Sequence, residues 1–291
     1  MAVVTIEIPG GRPRGVPALL LGNPRFVAGL VLLLICVGIT VAGDLAFGTH
    51  ARETGAFLPK LPPEPDAPLG TTALGQSVAA QLAEAIPNSM AVGLIAALVG
   101  TLLGAAIGFA SGYFGSLTDA LLRILIDVFL AVPSLLFLLL IASLMKGVDL
   151  TTLALVIGLF AWAWPARQIR AQVLSLRERL FVDLARMSGL SGSEIILREL
   201  APNMLPWLGA NFVNAFISAV LAESGLSLLG LGPQPSMTLG MMIYWALSYG
   251  AILQNLWWWW APPVIILVAL FFALYLIHLG LDEISNPRLN R

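Results

Sequence analysis

The chain has 291 residues, enough for one large or two small domains, but 58% are hydrophobic and only 11% charged, and mean hydropathy is +0.91. Soluble domains carry about 25% charged residues, so a surface dressed for water is excluded and the bilayer is the main solvent. A net charge of −1 gives no electrostatic case for binding nucleic acid. The single cysteine, Cys36, excludes an internal disulfide and reads as a small buried hydrophobe.

A spanning helix needs roughly 20 mostly apolar residues, and six such segments are predicted in chain order. A leader with Arg12, Arg14 and Arg25 precedes the first, Phe26 to about Gly43, which is too long for a cleaved signal and reads as an uncleaved span. The second begins near Pro87 or Asn88 and ends near Tyr113; the third runs from about Ala120 to Met145, and the fourth from Leu150 to about Arg167. Gly93, Gly100, Gly104 and Gly108 in the second span allow close helix approach. The fifth covers Leu205 to Leu229, before the breakers Gly230, Gly232, Pro233 and Pro235, and the sixth covers Trp259 to Leu279. Between them, Met241, Met242, Tyr244, Trp245 and Tyr249 suit a short helix lying on the membrane. Trp257 to Trp260 reads as an aromatic belt, with a stacking platform for a substrate as the alternative.

Of the 15 Lys and Arg residues only Arg52, Lys60 and Lys146 fall on the proposed outer side. Positive residues are retained in the cytoplasm, so both termini are placed there. The largest inner loop runs from about Arg167 to Leu205. Leu176, Leu180, Leu184 and Met187 draw one helical stripe, and Gly189 is suited to the left-handed conformation that closes a helix. Ser191 and Glu194 have capping-box spacing and start a second helix, which Pro202 ends. Ile195, Ile196 and Leu200 are expected to be partly exposed, inviting either a protein partner or lipid headgroups.

Asp183, Leu184, Ala185, Gly189, Pro202 and Asn203 stand in the register E-A-A-x(3)-G-x(12)-P-N, with Asp183 in place of Glu, Leu184 in place of Ala, and Glu199 where a His often stands. This loop resembles the coupling helix of permease subunits of ABC importers. In that family it sits in a cleft of the ATPase subunit. Glu223, Gly225, Leu226, Ser227, Leu229, Gly230, Leu231, Gly232 and Gly240 are similar to the E-x-G-L-S-x-L-G-L-G block of the dipeptide, oligopeptide and nickel group, in its C-type subunit. Gly70, Thr71, Leu74 and Gly75 match that subunit's G-T-D-x-x-G-R-D segment in part, and Asn286, Pro287 and Arg288 resemble its D-P-R ending.

The resemblance implies an all-α membrane protein with six transmembrane helices and the type I importer permease fold. Its parts would be a leader (1–24), a first helix (25–47), an outer segment (48–86), a permease core (87–283) with its coupling loop at 176–203, and a tail (284–291). The expected partners are a second homologous permease, two ATPase subunits or domains, an extracytoplasmic binding protein delivering short peptides, and the lipid bilayer. The expected ATPase-coupling residues are Asp183, Ala185, Gly189, Ser191, Glu194, Pro202 and Asn203.

Neither lysine, Lys60 nor Lys146, sits in a phosphate loop. No enzymatic activity and no cofactor are therefore expected in this chain; ATP and magnesium would belong to the partner ATPases. His50 and His278 are too far apart for a metal pair. Ionisable groups at membrane depth need explaining. Asp119, Arg123 and Asp127, four residues apart, read as an ion-pair ladder along one helix, with a proton relay as the alternative. Asp127, Glu223 and Ser227 are the polar or gating candidates, Glu223 reading either as an interface or loop lock or as a contact for a peptide amino terminus. His278 reads as an interfacial hydrogen-bonding group. The rival class is an ion-coupled transporter using Asp127, Glu223 and His278, and a third reading is a structural membrane scaffold.

Overall fold

The computed structural model describes residues 5–6, 14–48, 50–145, 147–234 and 236–285, with side chains described between 19 and 284. Arg12, Lys146, Pro235, Asn286, Pro287 and Arg288, used above, lie outside the described residues, and so does the side chain of Arg14. A two-residue antiparallel pair, β1 (Thr5–Ile6) with β2 (Arg14–Gly15), precedes a chain that is otherwise helical. The helices are α1 (Val16–Gly22), α2 (Pro24–Phe47), α3 (Val78–Phe114), α4 (Ser116–Ala131), α5 (Ser134–Leu144), α6 (Leu150–Ala161) and α7 (Ala163–Leu176). They continue with α8 (Leu180–Met187), α9 (Gly192–Ile195), α10 (Ala201–Asn203), α11 (Leu205–Leu228), α12 (Leu239–Ser248) and α13 (Trp257–Ser285). Five segments among the described residues are long and apolar enough to cross a membrane: α2, α3, the run α6–α7, α11 and α13. The pair α4–α5 makes a sixth, bent by 74°.

The long helix α3 is the hub. Its glycines sit where other helices press closest: a Cβ on Gly104 would lie 2.7 Å from the Trp162 carbonyl, on Gly108 2.7 Å from the Ala166 carbonyl, and on Gly112 2.8 Å from Val173. Gly100 meets Ala161 and Gly93 meets Phe216, so four of these glycines face α6–α7 and its junction, and the fifth faces α11. The helix starts at Val78, nine residues before the predicted Pro87, and runs through that proline. Val78, Leu82, Ala85 and Ile86 are buried together, and this burial outweighs the one hydrogen bond that the proline removes.

Three other expectations change. The third span is broken rather than continuous: Pro133 drives Val132 to an extended conformation (φ −97°, ψ 129°), and the chain turns there. Helix α12 does not lie on the surface. Leu239, Met241, Met242 and Ala246 are buried, and Asn88 and Ser89 of α3 bond the Met237 carbonyl (2.7 Å) and the Leu239 N–H (3.0 Å). The Trp cluster is split. Trp259 is buried, while Trp258 packs on Gly70 and its indole N–H reaches the Thr71 carbonyl at 3.4 Å, clamping the 50–77 segment over one end of the bundle.

That segment is tied together by Thr71, whose hydroxyl accepts from the Leu61 N–H and donates to the Leu58 carbonyl, both at 2.8 Å. Lys60 reaches Gln254 at 2.6 Å. At the opposite end, Asn23 caps α2 and donates to Glu283 of α13 at 2.7 Å, with Arg25 pairing to the same carboxylate. The two ends of the described chain therefore share one face of the bundle. The 188–204 elbow lies on that face too, because Gly209, just beyond it, sits against Leu281.

Candidate functional site

The elbow is built by local rules. Helix α8 closes at Gly189 (φ +80°) with the Leu190 N–H on the Ala185 carbonyl (3.2 Å) and the Gly189 N–H on the Arg186 carbonyl (3.0 Å). Nothing lies within 4 Å of a Cβ built on Gly189, so glycine is required there by backbone conformation and not by space. Two residues later Ser191 caps α9. Its backbone N–H donates to Glu194 Oε2 (3.0 Å), its hydroxyl donates to the same oxygen (2.8 Å), and the Glu194 N–H returns to Ser191 Oγ (3.4 Å). The Ser191 backbone N–H, with help from the hydroxyl, holds the Glu194 carboxyl below the usual carboxylate range.

The second helix does not stop at Pro202. A widened turn over Ile196–Leu200 lets the Ala201 N–H reach back five residues to the Ile196 carbonyl, and the chain continues through Pro202 into α11. Proline is accommodated because it falls in the first turn of α10, where its missing N–H is not needed. Asn203 donates to the Glu199 carbonyl at 2.7 Å and steadies this junction.

Burial inside the elbow is also redistributed. Ile195 and Leu200 are completely enclosed with Val182, Ala185 and Met204 against Phe109 of α3 and Ile169 and Val173 of α7. The exposed apolar residues are instead Leu180, Leu184 (64% exposed), Met187 (85%) and Leu197. Asp183 stands beside them, 3.3 Å from Arg186, and the Arg186 guanidinium lies over the Tyr113 ring at 5.6 Å. Gly192 fits beneath Tyr113 and Phe114, and Arg177 donates to the Gly112 carbonyl at 3.0 Å. Asp183, Ala185, Gly189, Ser191 and Glu194 are thus gathered in one compact foot, with Pro202 and Asn203 at its root. The foot's inner side is continuous with the cores of α3 and α7.

The single-helix ladder keeps its Arg123–Asp127 rung, while Asp119 turns to other helices. Asp119 is held in bidentate fashion by Arg170 of α7 (2.6 and 2.7 Å) and by Ser111 of α3 (2.6 Å), while Asp127 sits between Arg123 (3.7 Å) and Arg167 (3.4 Å). The ladder becomes a brace between helices because α7 runs alongside α4, and a guanidinium fork fits a carboxylate better across that gap than along one helix. Arg170 was not identified as a partner in the sequence; the only signal was an unexplained arginine one turn beyond Arg167.

Glu223 and Ser227 lie at the other end of the bundle. The Glu223 side chain is fully buried and accepts from Ser227 Oγ (2.6 Å) and Thr238 Oγ1 (2.7 Å), with Ser224 Oγ at 3.4 Å. Thr238 is the N-cap of α12, donating here while accepting from the Met241 N–H (3.2 Å). Gly232 and Gly240 press on Ser227 and on the Ser224 backbone so closely that a Cβ on either would collide. The Gly-Leu-Ser block therefore fastens α12 to α11. His278 Nδ1 bonds the Ala210 carbonyl at 2.9 Å, joining α13 to α11, and His50 lies in the segment that covers the opposite end.

A polytopic helical bundle with a capped foot at one end and a buried polar lock at the other defines a membrane transport component. The model of the family described as "binding-protein-dependent transport system inner membrane component" matches residues 100–291, and the chain belongs to that family. It is 33% identical over 227 residues to the oligopeptide transport system permease protein OppC of Mycobacterium tuberculosis, covering 77% of each chain. It is 30% identical over 270 residues to the dipeptide transport system permease protein DppC of Bacillus subtilis, covering 92% of this chain and 83% of that one. The fold is similar to a solved structure of the MetNI methionine ABC transporter in an inward-facing conformation, with TM-score 0.50, 19% identity, and coverage of 69% of this chain and 92% of that one. The chain is accordingly a multi-pass permease component of an ABC importer in the inner membrane.

Proposed function

We propose that this permease carries short peptides and forms half of a translocation path, the other half coming from a second, homologous permease. The foot is taken to face the cytoplasm and to dock on one of two ATPase subunits, which supply ATP and magnesium chemistry, while a binding protein delivers peptide to the 50–77 side. The observation that carries this reading is the foot itself. Its outer side presents Leu180, Leu184, Met187 and Leu197 beside Asp183, and its inner side is buried into the helices that brace α4. A partner closing on that outer side would move α3 and α7 with it, because packed interiors transmit displacement instead of absorbing it.

Purification in mild detergent, identification of companion chains, and uptake into vesicles test the proposal together. The expected result is copurification with an ATPase and peptide uptake that requires ATP. Uptake that persists without ATP and collapses with an ion gradient would instead assign the chain to ion-coupled transport. Gly189→Asp is expected to leave the chain inserted while ATP hydrolysis continues and uptake is lost. If Gly189→Asp lowers expression and nothing else, the foot is a scaffold.

A further inference from the structure

The break between α4 and α5 opens a cavity of about 480 Å³, bounded by α4–α5, α6, α7 and α11. Its volume is in the range that holds small organic ligands. Non-helical backbone at membrane depth is tolerated only where protein covers it or where it lines a wet cavity, and Val132 and Pro133, at the break, line this one together with Ser134 at the start of α5. Asn214 and Ser218 face it from α11. They lie nine and thirteen residues from the start of that helix, about 14 and 20 Å along it, near the middle of a spanning segment.

The polar groups here are left over from the fold. The Ser218 hydroxyl donates to the Asn214 carbonyl at 3.0 Å, keeping its lone pairs for a further donor. No partner among the described residues meets the Asn214 carboxamide, the Ser134 hydroxyl or the Trp164 indole N–H. No charged residue lines the cavity; Phe160 and other apolar side chains supply the rest of its wall. Ser134, Trp164 and Ser218 are exposed and Asn214 is half-buried, so all four are open to whatever enters the cavity.

We propose that this cavity is the peptide contact of the path on this subunit, with the Asn214 carboxamide, the Ser218 and Ser134 hydroxyls and the Trp164 indole bonding main-chain amides of the passing peptide. A carboxamide both donates and accepts, as a peptide group requires. An uncharged wall has no preference for one sign of ionised side chain over the other, so the site reads what all peptides share. This inference rests on the peptide reading above.

The test uses the complete transporter in proteoliposomes, with radiolabelled trialanine, Ala-Lys-Ala and Ala-Glu-Ala as probes. Asn214→Leu keeps the size and removes the hydrogen bonds. The number of peptides imported per ATP hydrolysed is expected to fall about tenfold, equally for all three probes, and Asn214→Gln is expected to restore most of it. In a Cys36→Ser background, Ser218→Cys is expected to react with a small water-soluble maleimide during ATP turnover and to be protected by trialanine. Unchanged import by Asn214→Leu, a loss confined to one charged probe, or a Ser218→Cys that is unreactive or unprotected overturns the proposal. If Asn214→Leu does not assemble, the protection of Ser218→Cys decides alone. A wild-type complex that imports none of the peptides with ATP refutes the substrate reading itself, separately from the site.

Discussion

Gly189 occupies a backbone conformation that L side chains adopt at a cost of about 1 to 2 kcal/mol, and it does so with empty space around it. Gly189→Ala should therefore lower the thermal midpoint of the detergent-solubilised protein only slightly, while loosening the link between foot and bundle. Uptake should fall more than ATP hydrolysis, as paired assays on one preparation would show. At Glu194 the folded state lowers the carboxyl pKa, so the stabilisation it brings is complete above the ordinary glutamate range and disappears as acid protonates it. Hydrogen exchange of the Ser191–Ile195 amides should rise below about pH 4, and Ser191→Ala should produce the same loosening at neutral pH. At Glu223, Leu substitution strands the Ser227 and Thr238 donors and should destabilise by about 1 to 3 kcal/mol. Glu223→Gln keeps the oxygen that both hydroxyls reach and should be mild, as thermal unfolding of the two variants would reveal. The foot's closure and cap were legible in the sequence because every bond in them spans six residues or fewer. A lock was one of the two roles legible for Glu223, but its partner Thr238 was not, since Thr238 is fifteen residues away and its role depends on how α12 folds back.

Elements differ in how much of their environment is written in their own residues. The glycines of α3 announced a close contact but not with what; the structure places α6 and α7 there. Gly104→Ala puts a carbon 2.7 Å from the Trp162 carbonyl and 2.8 Å from Pro165, so the helices must separate. A loss of about 1 to 3 kcal/mol follows, measurable as a lower yield of monodisperse protein and a lower unfolding temperature. The Met, Tyr and Trp content of α12 suits an interface and points to a surface helix. Asn88 and Ser89, some 150 positions earlier, draw it inward instead, and no pattern within ten residues could have indicated that. The bend at Pro133 was likewise hidden by an unbroken apolar run, in which the proline was the only clue.

For the molecule as a whole, the two ends of the described chain and the foot lie on one face, and the 50–77 segment caps the other. With Cys36 replaced by Ser, Ser193→Cys and Thr54→Cys should be labelled from opposite sides of right-side-out vesicles by a reagent that cannot cross lipid. Thr54→Cys should react at once and Ser193→Cys only after permeabilisation, and the reverse pattern would invert the proposed orientation.

The first and last spanning helices are also clasped together. Gly29 lies against the Ala273 carbonyl, Gly280 lies against Phe26, and Asn23 and Arg25 hold Glu283 across about 260 residues of sequence. In chain order α2 precedes its mate by more than 200 residues, so the side of α2 around Gly29 stays uncovered until α13 has been made and docked. A chain lacking α13 would leave that side of α2 and the Asn23 and Arg25 side chains without the partners they have here, so the α2–α13 clasp closes the bundle only after everything between the two helices is in place.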